Sequence, residues 1–151
     1  EEDSIVTQAR LKGVQEACRD LSLTLPAEYL LTGGYRSPEK TAEAFSRLMS
    51  LPQPPTCILC PDDYAALGAY SRARQMGLSI PEDISLMGYD GIPLTRIISP
   101  RLTTLQQDSA GIGQQAAQML LELIRNPQTP CRQVYLPGSL IKGESVRKPD
   151  P

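Results

Sequence analysis

The 151-residue chain predicts a single α/β domain, a mostly parallel sheet covered by helices on both faces in a three-layer αβα arrangement. Three observations point there. Helical stretches alternate with short apolar runs along the whole chain. Runs such as "TCILC" (56–60) are continuously apolar, as in strands covered on both sides. Two of them pass directly into acid-bearing turns, at "CILCPDD" (57–63) and "ISLMGYDG" (84–91). Sheets of this kind bind ligands outside the carboxyl ends of their strands, so Asp90 and the Asp62/Asp63 pair are expected to converge on one cleft.

Taken in order, residues 6–21 predict a helix, with Val6, Ala9, Gly13, Val14, Ala17, Cys18 and Leu21 on one side of a 3.6-residue period. "EYLLTGG" (28–34) predicts a short strand ending in glycines. A second helix over 37–51 has strong start signals: Ser37 to cap, Pro38 at the first helical position, and Glu39 at the positive end of the dipole. "PQPP" (52–55) ends it, and strand 56–60 follows. Asp62 or Asp63 caps a third helix reaching Met76, with Gly77 placed for a left-handed C′. Strand 84–89 leads through "GYDGIP" to "LTRIISP", then to the threonine-bearing strand 102–107. Helix 109–125 carries Ile112, Ala116, Met119, Leu120 and Leu123 on one face, and 132–145 reads as one or two closing strands.

Composition removes several classes of function. A net charge of −2 with no Lys/Arg block leaves no footprint for DNA phosphates, so any contact with nucleic acid belongs to a segment outside this chain. No apolar run approaches a membrane span, and "EEDSIVTQAR" is no signal peptide; it reads as a chain entered mid-fold. With no histidine, neither a Ser-His-Asp nor a Cys-His arrangement exists. "TGGYRS" has neither phosphate-loop spacing. Cys57 and Cys60 form a C-x-x-C without a second ligand pair, and in a strand they point to opposite faces. The four cysteines therefore read as buried, reduced thiols of a cytoplasmic protein, with no metal and no cofactor implied.

Each candidate binding residue has two readings. Asp90 either hydrogen-bonds the turn before Ile92-Pro93 or contacts a ligand. One of Asp62 and Asp63 caps a helix; two adjacent acids exceed what a cap requires, so the other is free to accept from a ligand. Arg10 lies on or beside the apolar face of the first helix, either snorkelling or presenting a fork of donors to a cleft. A strand-end acid pair also admits a Mg²⁺-dependent, phospho-accepting receiver domain, although Lys142 lacks the context such a site wants.

From Cys60 to Asp108, "PDDYAALGAYSRARQMGLSIPEDISLMGYDGIPLTRIISPRLTTLQQD" resembles the effector-binding core of LacI/GalR-type transcriptional regulators. "ARLKG" (9–13), "DSAGIGQQAAQMLLELI" and "LPGSLIKGES" resemble that family's flanking motifs more loosely. The resemblance implies a type I periplasmic-binding-protein-like fold with a sugar-like effector in an interlobe cleft. It implies that Arg10, Asp62 and Asp90 contact the effector, with Tyr35 or Arg36 where many members place a stacking aromatic. Asp62 stands where the family often has Asn, so a donor-and-acceptor becomes an acceptor only. Lys142-Gly143 replaces the usual closing x-R.

By the same resemblance, residues 1–107 and 139–151 belong mostly to the C-terminal lobe and 108–138 to the N-terminal lobe, the lobe being incomplete at its start. DNA is reached only through a helix-turn-helix outside this chain, and the membrane not at all. Dimers form through these lobes in the family, and Leu67, Tyr70, Ile97 and Ile98 are the expected apolar patch, with core packing as the alternative for each. The function implied is effector sensing without catalysis; a transport-type solute-binding protein of the same fold is the alternative.

Overall fold

The structure, a computed structural model, describes residues 4–32 and 34–149. Helix α1 (Ile5–Asp20) is followed by a single 3-10 turn at Ala27–Tyr29 and by α2 (Pro38–Met49). Strand β1 (Cys57–Leu59), helix α3 (Asp63–Gln75) and strand β2 (Ser85–Asp90) come next. A 3-10 turn at Pro93–Arg96 precedes β3 (Thr103–Gln106), α4 (Ser109–Arg125) and β4 (Ser139–Ile141). The four strands lie in the order β1-β2-β3-β4. The first three run parallel, in the register Ile58↔Leu86 and Gly88↔Thr104. β4 returns antiparallel, with Leu105 opposite Leu140. The predicted α/β class with a mostly parallel sheet is the one observed.

Two helix starts follow their sequence signals. The Ser37 hydroxyl accepts from the Lys40 N–H with Pro38 at the first helical position, and the Asp62 carboxylate accepts from Ala65. The core lies between α3 and the sheet: Ala65, Ala66, Ala69, Tyr70 and Ala73 of α3 pack with Cys60, Ile84, Leu86 and Leu102, and Phe45 of α2 joins them. Burying Phe45 contributes on the order of 2–3 kcal/mol. The small residues on α3 let α2 come very close; a Cβ at Gly68 would stand 2.1 Å from the Pro38 carbonyl oxygen. Burial pushes the Cys60 thiol up to about 12, which keeps it protonated and inert. Cys57 and Cys131 are exposed, contrary to the expectation of buried thiols, because the first lies on the edge strand and the second on an open loop.

The strand expected over 28–34 is not formed. Its first residues make the 3-10 turn, Leu30 is exposed, and Gly33 lies outside the described residues. A strand exists only with a ladder partner, and β1, the edge of the sheet, pairs with β2 alone. Among the described residues α1 and α4 bury none of their side chains; Ile112, Leu120, Leu121 and Ile124 of α4 stand exposed.

Ser145 closes the sheet below the β2–β3 ladder. Its hydroxyl donates to the Leu86 carbonyl at 2.6 Å and accepts from the Thr103 N–H at 2.8 Å, while its own carbonyl accepts from Leu86 N–H. Gly143 makes this approach possible, since a Cβ there would meet the Arg101 carbonyl oxygen at 2.3 Å.

Candidate ligand site

The site is assembled at the carboxyl ends of β1 and β2. Arg10 reaches it from α1: its Nη1 donates to the carbonyl of Pro61, just beyond β1, at 2.7 Å and also to the Tyr35 hydroxyl. Its guanidinium lies 3.8 Å from the centre of the Tyr89 ring and 5.4 Å from that of Tyr35. A cation lying near two aromatic rings and bonded to a carbonyl just past β1 is not snorkelling along a helix; it is held at the strand ends. Tyr35, on the loop before α2, is the one of the predicted pair that stacks beside Arg10. Arg36 turns outward, its guanidinium 5.5 Å from the Tyr64 ring.

Asp90 ends β2, half-buried, with φ at +112°, a region a non-glycine residue occupies only when held there. Its Oδ1 accepts from Gln107 Nε2 at 2.5 Å. The Tyr35 phenol is pushed up by burial and pulled back by Arg10, with Asp90, Asp62 and Tyr89 adding upward pressure. Arg10 bonds that phenol and the Pro61 carbonyl beside Asp62, and Asp90 ends the neighbouring strand, so the three expected residues lie at adjoining strand ends.

The roles within it differ from expectation. Asp62 is fully buried, with Oδ1 accepting from Ala65 N–H at 2.8 Å and Oδ2 from Arg36 N–H at 2.7 Å. Asp63 is equally enclosed, Oδ1 accepting from the Thr104 hydroxyl at 2.6 Å and Oδ2 from Ile92 N–H at 2.8 Å. So neither acid is the spare carboxylate that a doubled cap suggested; each is consumed by protein donors. Desolvation raises the Asp63 carboxyl above its ordinary range, against the pull of Thr104, Ile92 and Gly91 and with a further push from Asp90.

Sequence reasoning did not assign Tyr89, the closest ring to Arg10, or Gln107, the partner of Asp90. Both sit at strand ends, Tyr89 in β2 immediately before Asp90 and Gln107 just past β3, and that placement was the available signal. Of the four expected interface residues, Ile97 is 78% exposed, while Leu67 and Ile98 are half-buried and Ile98 packs on the core. Tyr70 is core: it is buried and its hydroxyl donates to the Ser99 carbonyl, which removes it from any surface patch. Among the described residues no group of three or more His, Cys, Asp or Glu side chains is placed to hold a metal. No helix there is long and apolar enough to cross a membrane.

Residues 2–146 match the family model of the periplasmic binding protein-like domain. The chain is 36% identical over 141 residues to the HTH-type transcriptional repressor PurR of Vibrio vulnificus, covering 93% of this chain and 42% of that protein. It is 40% identical over 113 residues to the HTH-type transcriptional repressor CytR of Escherichia coli, covering 75% of this chain and 33% of that protein. It thus spans less than half the length of either repressor. Among solved structures, a candidate LacI transcriptional regulator from Bacillus cereus subsp. cytotoxis superposes with a TM-score of 0.91 at 31% identity, over 97% of this chain and 52% of that one. A LacI family transcriptional regulator from Enterococcus faecium with bound ribose gives 0.81 at 30% identity, over 92% of this chain and 51% of that one. Motif, sheet topology, strand-end site and these likenesses agree: the chain belongs to the periplasmic binding protein-like domain family, within the LacI/GalR-type regulators' effector-binding domain.

Proposed function

We propose that the chain senses a sugar-like effector in the cytoplasm for a transcription regulator that grips DNA through a separate helix-turn-helix, and that it acts by binding rather than by catalysis. The observation that carries this reading is the cluster of Arg10, Tyr35, Tyr89 and Asp90 at the ends of β1 and β2. Two rings supply apolar faces for a sugar, a guanidinium supplies paired donors, and a carboxylate accepts from hydroxyls. The ribose held by the Enterococcus relative supports a hydroxyl-rich ligand of that size.

In this reading residues 1–107 and 139–151 belong mostly to one lobe, and 108–138 crosses to the other. The apolar exposed residues of α4 are then its contact with that second lobe. A ligand bridging both lobes moves them only by the difference in its affinity for the two arrangements, and that difference is what a DNA-binding head would read. Of the four expected interface residues, Ile97 is the most exposed, and in this reading it meets a second copy.

Titration calorimetry with ribose, hexoses and nucleosides tests the site. Arg10→Ala and Asp90→Ala are each expected to weaken the binding ligand by about tenfold or more, the worth of one or two charge-assisted hydrogen bonds. Affinity unchanged by both substitutions would refute the site.

A further inference from the structure

We infer that Asp62 and Asp63 are positioning residues, two pins on the first turn of α3 that each hold one wall of the cleft, and that neither touches the ligand. The inference deepens the proposed function and rests on it only for its ligand arm.

Both carboxylates are fully buried and all four oxygens accept from protein donors, so none is presented to a solute. Asp62 takes the backbone N–H of Arg36, which has φ at +52°; Asp63 takes that of Ile92, two residues beyond Asp90, which has φ at +112°. Non-glycine residues stay in that region only where the surroundings over-determine them. In each wall one of the two acids is among the contacts that hold it, alongside Gln107 on Asp90.

The local sequence is shaped around the pins. Gly88 leaves the space that Asp63 fills, since a Cβ there would stand 2.2 Å from Asp63 Oδ1. Thr104, opposite Gly88 in the ladder, aims its hydroxyl at the same oxygen. For Asp62, an amide would offer only one accepting atom, whereas the two N–H groups of Ala65 and Arg36 need two. An acid rather than an amide at residue 62 thus follows from the double pin. Through these contacts Asp62 sets Tyr35 against Arg10, and Asp63 sets Asp90 at the end of β2.

Amide hydrogen exchange on the 151-residue chain, read by NMR, tests the pins without any ligand. The Arg36 and Ile92 amides are expected to be protected in the unaltered protein. Asp62→Asn should speed Arg36 exchange by about tenfold or more with Ile92 nearly unchanged, and Asp63→Asn should do the reverse. Rapid exchange of both amides in the unaltered chain, or equal release of both by either substitution, overturns the inference. The unaltered chain decides even where Asp63→Asn fails to fold. With ribose as probe, the Asp62→Asn/Tyr35→Ala and Asp63→Asn/Asp90→Ala double variants should bind no more weakly than the worse single variant of each pair. Additive losses would mean that the acids touch the ligand and would sink the idea. If ribose gives no heat with the unaltered chain, the proposed ligand class fails while exchange still settles the pins.

Discussion

Asp63 shows how far a single residue's role can sit from what its letter implies. A carboxylate beside a helix start reads as a cap or a ligand contact, yet here it is buried and accepts from Thr104 and Ile92. Its carboxyl is raised above the ordinary 3.8, so in the pH range between that value and the raised one the folded chain holds this proton more tightly than the unfolded chain. The sign follows: its contribution to stability is full below that ordinary value and is lost as pH rises through the raised one. Urea melts of the unaltered chain and of Asp63→Asn are therefore expected to differ most in the unaltered chain's favour near pH 3.5, the advantage shrinking toward neutrality. Ser145 is a second case. Ser145→Ala would strand the Leu86 carbonyl and the Thr103 N–H in the core, costing about 2–4 kcal/mol by urea denaturation. Neither role could be read from letters, because each is defined by a partner dozens of positions away.

Elements were more legible where their signals are local. Ser37, Pro38 and Glu39 announced α2, and the Asp62/Asp63 pair announced α3, because a cap acts on N–H groups within the same turn. The β2 run was visible from its apolar continuity, and the observed Ser85–Asp90 differs from the expected 84–89 by one residue. The run at 28–34 failed as a strand for the opposite reason: its state depends on a neighbour that its own residues do not encode. The α2–α3 contact is a further long-range fact. Gly68→Ala is expected to destabilise the chain by about 1–3 kcal/mol in a thermal melt, since the added methyl would press on the Pro38 backbone.

For the whole molecule, the alternation of helices and apolar runs pointed to the strand ends, and Arg10, Tyr35, Tyr89 and Asp90 lie together there. What the alternation could not convey is how the acids differ, with Asp90 half-buried at the end of β2 and Asp62 and Asp63 fully buried. The Ser145 closure has one more consequence. It joins β2 to a residue 59 positions further along and β3 to one 42 positions further along. A nascent chain leaving the ribosome therefore cannot lock these strands together until that serine has emerged. Until then the sheet is held by its ladder alone.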